Sequence, residues 1–191
     1  MSFRCNALAA IAAAGLLTGC AAPAVLPPAQ PFQPGEAPGE LVHKHTGFAF
    51  PSRIGSFLRV TGHQYDAQGR DISVGYNGDI PVVVTVYVYP AGQQTLEADL
   101  VEQSALVLGA HPGATVTGRS TVHVTPDGLD ARSVAFSFSA DFYGKNQPLH
   151  SELVLARHGE SFVKYRITYP ESLADLGAED SGKFLAHFAW P

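Results

Sequence analysis

The two cysteines are the strongest nucleophiles of this chain, and Cys20 is placed where a thiol could be modified. It follows Leu17-Thr18-Gly19 directly, at the end of an apolar run that begins at Asn6. One positive charge, Arg4, and the second cysteine, Cys5, precede the run. Because sulfur is nucleophilic enough to form a covalent adduct readily, modification of Cys20 is the first chemistry that the residue pattern predicts.

The apolar run before Cys20 predicts an N-terminal targeting segment. Residues 6–17 are too few to span a bilayer as a helix, which takes about 20 apolar residues, but they suit a signal-peptide core. Leu17-Thr18-Gly19-Cys20 resembles the lipobox of bacterial lipoproteins at all four positions. The resemblance implies a signal peptide over 1–19 and a lipid-modified Cys20 that attaches the protein to a membrane, so we expect palmitate labelling. Ala21, where Asp would favour the inner membrane, implies the outer membrane, with the domain facing the periplasm.

His43 and His45 are the best-placed candidates for metal binding. On a strand, the two imidazoles would share one face and could chelate an ion. The remaining histidines are scattered without ligand spacing, and no cysteine follows Cys20. We therefore expect no metal site, and we interpret His43-Lys44-His45 as the polar end of a linker.

Two carboxylates, Asp141 and Glu152, could approach each other across a hairpin that turns at Gly144. Paired carboxylates can serve as acid and base, but a solvated sheet face explains these two better. The sequence has no Gly-x-Ser-x-Gly motif, and the glycine-rich segment 109–113 lacks the lysine of a phosphate-binding loop. We therefore predict no catalytic residues and no cofactor.

A strand beginning at Ser161 would present Phe162, Lys164 and Arg166 on one face, and Trp190 is the penultimate residue. Aromatic and cationic side chains often anchor interfaces, so we take these four residues as a candidate interaction surface. The alternative is that a helix packs over Phe162 while Trp190 closes the core.

Residues 20–40, which follow the signal peptide, contain six prolines and two charged residues, both glutamates. Such composition favours extended polyproline II, which at about 3 Å per residue would hold a domain up to ~60 Å from the lipid. The remaining segment, 41–191, has the length of one domain with its own hydrophobic core. Because its core is apolar and it has no cysteine, we expect this domain to fold as a monomer without metal, lipid or reductant.

The chain is mildly acidic, with 12 Lys and Arg against 17 Asp and Glu and a formal net charge of −5 at pH 7. Nucleic-acid-binding proteins usually present a basic surface. We therefore exclude nucleic acid as a partner and expect another envelope protein or a small ligand.

Alternation of apolar residues predicts four strands in the first half of the domain, over 47–50, 57–65, 71–77 and 81–89. The fourth is apolar on both faces, as is typical of a central strand. A helix follows over 95–108, with Thr95 as its N-cap. Its predicted inward face consists of Leu96, Leu100, Val101, Ala105 and Leu108.

The second half repeats this order, with strands predicted over 115–125, 131–143, 149–157 and 161–169 and a turn at Pro126-Asp127-Gly128. A closing helix is predicted from Leu173, Leu176, Phe184, Leu185 and Phe188. Tight turns favour antiparallel pairing. The fold class is therefore α+β, with an antiparallel sheet from two meanders packed against two helices.

This element order, with His45-Thr46-Gly47-Phe48-Ala49-Phe50-Pro51 followed by Gly55 and Phe57, resembles the PsbP-like group. The resemblance implies a sheet sandwiched between helices and a role in assembly or binding in the cell envelope. We therefore expect a lipid-anchored periplasmic binding or assembly module. The alternative function is a hydrolase or isomerase that uses Asp, Glu or His residues in a cleft.

Overall fold

The structure, a computed structural model, describes residues 30–124 and 129–191. The predicted signal peptide, Cys20, the first part of the predicted spacer and the predicted turn at 126–128 lie outside the described residues. The elements are β1 Phe32–Pro34, β2 Leu41–His43, β3 Ala49–Phe50, β4 Arg53–Ile54, β5 Phe57–Gln64, β6 Ile72–Asn77, β7 Val83–Pro90, α1 Leu96–Ala110, β8 Thr115–His123, β9 Asp130–Phe142, β10 Lys145–His158, β11 Ser161–Pro170 and α2 Ala174–His187.

The end of the proline-rich segment is part of the folded domain. Strands β1, β2 and β3 form a small antiparallel sheet, and the Phe32 ring packs edge-on against Phe50, with centroids 6.0 Å apart. The Glu40 carboxylate accepts hydrogen bonds from the backbone N–H groups of Glu36 and Ala37. The expectation of an extended spacer therefore does not hold for residues 31–40, because one aromatic anchor and a bonded turn order them. Pro34 is tolerated because β1 is an edge strand.

The main sheet has eight antiparallel strands in the order β4-β5-β6-β7-β11-β10-β9-β8. Two meanders, β4 to β7 and β8 to β11, meet where β7 pairs with β11, and Val86 lies opposite Tyr165 in that register. β7 is central, as its two apolar faces predicted, and Val84, Val86 and Val88 are fully buried. The predicted α+β class with an antiparallel sheet is confirmed.

The two helices lie on opposite faces of this sheet. On one face, α1 covers a cluster that includes Phe136, Leu153 and Phe162, contributed by β9, β10 and β11. On the other face, Phe184 and Phe188 of the α2 segment pack over the larger core, which is built largely from β5, β6, β7 and β11. Helix α1 therefore lies over β9, β10 and β11 and not over β5 and β6.

Helix α1 buries only part of the face that its apolar pattern predicted, since Leu96 and Leu100 pack against the core beneath it. Thr95 caps it as expected, accepting a hydrogen bond from Ala98 N. Val101 and Leu108, however, are 66% and 39% exposed, whereas Asp99 and Ser104 are buried. The helix is rotated relative to that prediction because Asp99 and Gln103 accept hydrogen bonds from Tyr89 and Lys164 of the sheet beneath it. The buried Ser104 Oγ has no partner among the described residues.

Candidate functional site

Two cations, Lys164 and Arg166, lie side by side on the α1 face of the central strand β11. In the sheet register, Lys164 is opposite Tyr87 of β7 and Arg166 is opposite Thr85. Because side chains alternate across a strand, Phe162 points to the same face. The predicted grouping of these three β11 residues on one face is therefore what the structure shows.

Lys164 is surrounded by aromatic rings. Its Nζ lies 4.2 Å from the centroid of the Tyr87 ring and 5.5 Å from that of Tyr89, distances at which a cation is attracted to a ring face. Nζ also donates a hydrogen bond to Gln103 Oε1 of α1, at 2.6 Å. Among the described residues, no carboxylate lies within ion-pair distance of this amine.

The position of Lys164 lowers its pKa to about 8. Burial is the largest cause, since it disfavours the charged amine, and repulsion from Arg166 adds to it. Asp99 and Asp71 oppose this shift without cancelling it. Asp99 accepts a hydrogen bond from Tyr89 Oη at 2.6 Å, which together with burial raises the pKa of Tyr89.

Arg166 is a partly buried guanidinium with incomplete hydrogen bonding. Its Nη2 donates to Ser151 Oγ at 2.9 Å, but its Nε is buried and has no partner among the described residues. No described carboxylate forms an ion pair with it. Burial lowers the pKa of Arg166, although an arginine remains charged at physiological pH. A buried N–H donor without a partner, such as Nε, lowers the stability of the fold unless an acceptor binds to it.

A shallow cleft of about 200 Å³ opens over Lys164, between α1 and the uncovered part of the sheet. Its lining consists of Tyr65, Asp71, Tyr87, Tyr89, Gln103 and Lys164. The Tyr65 and Tyr87 rings stack with centroids 6.4 Å apart, and Tyr65 is fixed by a 2.9 Å hydrogen bond between its Oη and Ser73 Oγ. The cleft therefore combines flat aromatic walls with a cation at its base.

The four residues predicted as one interaction surface do not form one. Phe162 is fully buried under α1. Trp190 lies on the opposite face of the sheet, where its Nε1 donates to Tyr165 Oη at 3.0 Å and its ring packs edge-on against Phe48. The alternative reading, in which a helix covers Phe162 and Trp190 closes the core, describes these two residues. Of the four, only Lys164 lines the cleft, and Arg166 lies partly buried beside it.

The histidine pair at the start of the domain is engaged structurally. His43 is fully buried, with Nδ1 2.7 Å from Thr46 Oγ1 and Nε2 2.8 Å from the Gly69 carbonyl oxygen. His45 Nε2 lies 3.1 Å from the Gln68 carbonyl oxygen. Burial lowers the pKa of His43. No group of three or more potential metal ligands occurs among residues 30–124 and 129–191.

Asp141 and Glu152 are not brought together by their hairpin. Glu152 lies opposite Ala135 in the register, six residues along β9 from Asp141, which is a separation of about 20 Å at the usual rise of a strand. Glu152 accepts a hydrogen bond from Ser133 Oγ, and Asp141 accepts one from Gly144 N at 3.2 Å. The arrangement therefore offers no acid–base pair between them.

Sequence reasoning missed five residues that line the cleft, Tyr65, Asp71, Tyr87, Tyr89 and Gln103, and the buried Asp99 that bonds to Tyr89. Asp99 and Gln103 are four residues apart, so they share one face of α1. That spacing was visible in the sequence, but the more apolar face drew the prediction. Tyr89 belongs to a strand that was read as core on both faces.

In the part of the chain that the structure describes, neither helix is both long and apolar enough to cross a membrane.

No protein-family model matches the chain, and no curated protein does. The chain is similar in part to several solved structures, among them the following two. Cyanobacterial PsbP (CyanoP) from Synechocystis sp. PCC 6803 aligns with a TM-score of 0.47 and 12% identity, covering 75% of this chain and 85% of that one. LpqN, involved in cell envelope biogenesis of Mycobacterium tuberculosis, aligns with a TM-score of 0.40 and 12% identity, covering 68% and 75%.

Proposed function

We propose that this protein is a lipid-anchored binding module of the bacterial envelope, attached to the outer membrane through Cys20 and facing the periplasm. The lipobox-like tetrapeptide and the signal-peptide pattern before it support the anchor. Two or three acyl chains on one cysteine would give stable attachment, since dual acylation already does so. The envelope location rests on this sequence pattern.

The binding site in this proposal is the cleft over Lys164. The observation that carries it is a pair of adjacent cations, Lys164 and Arg166, neither of which forms an ion pair with a described carboxylate. Buried cations are normally paired, so a ligand that supplies an acidic group would complete the site. The tyrosine rings that line the cleft favour a ligand with a flat apolar part next to its acidic group.

Binding fits this geometry better than the alternative of hydrolysis or isomerisation. The two carboxylates considered for acid–base chemistry lie about 20 Å apart along the sheet. Beside the cleft, the buried Asp99 accepts a hydrogen bond from Tyr89, and within the cleft Lys164 donates one to Gln103. These bonds hold the polar groups in place, as a preformed binding site requires.

Calorimetry with two ligands of matched shape tests this function. Benzoate presents a carboxylate on a flat ring, and benzamide has the same shape without the charge. We expect the purified protein to bind benzoate and to bind benzamide at least about tenfold more weakly, because hydrogen bonds to a charged group are the stronger ones.

Variants of the two cations and of a distant lysine test whether benzoate binds in the cleft. Lys164→Met and Arg166→Met should each weaken benzoate binding, whereas Lys145→Met, which changes an exposed lysine at the start of β10, should leave it unchanged. Equal binding of benzoate and benzamide, or benzoate binding that survives both Lys164→Met and Arg166→Met, would refute the proposed site.

A further inference from the structure

Strand β8 is a long edge of the main sheet with no strand on its outer side among the described residues. It has nine residues, Thr115–His123, and so extends over about 30 Å. The opposite edge, β4, has two residues. An edge strand presents a row of backbone N–H and C=O groups that another extended chain can pair with.

The sequence of β8 suits pairing along its length. It contains no proline, and it is rich in threonine and valine, which are favoured in strands. Its register with β9 shifts between Val116 and Gly118, which confines the regular part to the segment from Gly118 onward. Seven of its nine side chains are exposed, so the strand is accessible over most of its length.

Two arginines give this edge a positive face. Arg119 is opposite Val134, and Arg132 of β9 is opposite Thr121 two residues further along β8, so alternation places both arginines on the α1 face. Arg132 Nη1 donates to Thr121 Oγ1 at 2.9 Å. Neither arginine forms an ion pair with a carboxylate among the described residues, while the nearby Asp130 pairs with His123 at 3.0 Å.

The same charges disfavour a second copy of this chain as the occupant. If two β8 strands paired antiparallel about their centres, Arg119 would lie directly opposite its own copy. Like charges directly opposite each other across a strand pair are destabilising. An extended segment with acidic side chains at alternate positions has the complementary charge.

We propose that β8 adds an extended acidic segment of a partner protein as a ninth strand. Backbone hydrogen bonds to the outer edge would supply affinity, and acidic side chains beside Arg119 and Arg132 would set register and selectivity. The proposal goes beyond the ligand site, because β8 is separated from β11 by two strands of the sheet and shares no residue with the cleft.

Hydrogen–deuterium exchange of the full-length lipidated protein in detergent micelles tests this inference with a defined probe. The probe is a capped nine-residue peptide of alternating threonine and valine in which two threonines are replaced by glutamate, and its counterpart carries lysine at those positions. The acidic peptide should slow amide exchange in residues 115–123, and the lysine peptide should not. Slowing by both peptides equally, slowing by neither, or slowing confined to segments around Lys164 would overturn the proposal.

Charge-reversal variants give the second readout. Arg119→Glu and Arg132→Glu should each weaken binding of the acidic peptide by about tenfold, because like charges then face each other. Arg53→Glu, which alters an exposed arginine on the opposite edge, should not. Arg119→Gln, which removes charge without reversing it, should give an intermediate loss, and unchanged thermal unfolding would show that each variant is folded. Peptide affinity that is the same in all four variants would contradict the charge selection.

Discussion

Lys164 Nζ lies 4.2 Å from the centroid of the Tyr87 ring on the neighbouring strand. The register fixes this pair, because Tyr87 and Lys164 are directly opposite each other in the central β7–β11 pairing. The aromatic ring and the Gln103 amide compensate part of the cost of burying the amine. They leave its pKa low, at about 8, and this value has consequences for stability and for binding.

The free energy of unfolding should rise between pH 8 and pH 10 because of Lys164. In the folded protein its pKa is about 8, against 10.5 for an unperturbed lysine. In this range the unfolded chain therefore binds more protons than the folded one, and stability increases with pH. Urea unfolding at several pH values should show this rise for the wild-type protein relative to Lys164→Met. A difference between the two that stays constant with pH would show that Lys164 titrates normally.

Phe162→Ala should lower the free energy of unfolding by about 3–5 kcal/mol, because it empties a site in the cluster under α1. Tyr143→Ala is the matched control, since Tyr143 is 62% exposed and surface changes usually stay within about 0.5 kcal/mol. Denaturant unfolding of both variants measures the effect. A loss below about 1 kcal/mol for Phe162→Ala would contradict the burial of Phe162, because such small losses are typical of exposed residues.

Phe32→Ala should lower the free energy of unfolding by about 1–2 kcal/mol, because a half-buried ring that contacts Phe50 and His43 is removed. Pro38→Ala, at an exposed position of the following turn, serves as the control. Chemical denaturation compares the two. If residues 31–40 acted as a spacer, neither substitution would change stability.

Cys20→Ser should abolish lipid modification and block processing of the signal peptide. The thiol of Cys20 is the nucleophile that the lipobox-like pattern predicts will be modified. Metabolic labelling with palmitate in a bacterial host measures it, with Cys5→Ser as the matched control that should label normally. Undiminished label in Cys20→Ser would assign the modification to Cys5.

Strand alternation was enough to predict which side chains share a face. Lys164 and Arg166 lie together because successive side chains of a strand point to opposite faces, and the two apolar faces of β7 predicted its central position. These are local consequences of the backbone. They required no knowledge of what packs against the sheet.

Contacts between elements distant in sequence could not be predicted in this way. The rotation of α1 depends on the Tyr89–Asp99 and Lys164–Gln103 hydrogen bonds, which join it to two different strands. The ordered structure of residues 31–40 likewise depends on contacts between Phe32 and core residues that come later in the sequence. In both regions the amino-acid composition favoured a different structure. Val101 was predicted to face the core but is exposed, and the proline-rich segment was predicted to be extended but forms a hairpin.

The pH dependence of benzoate affinity, measured by calorimetry at pH 7 and pH 9.5, tests the binding function most directly. At pH 9.5 most Lys164 side chains have lost their charge, because the pKa lies at about 8. We predict that the wild-type protein binds benzoate about tenfold more weakly at pH 9.5 than at pH 7. Lys164→Met should bind benzoate weakly and equally at both pH values. A wild-type benzoate affinity that is the same at both pH values, or that Lys164→Met retains at pH 7, would contradict this prediction.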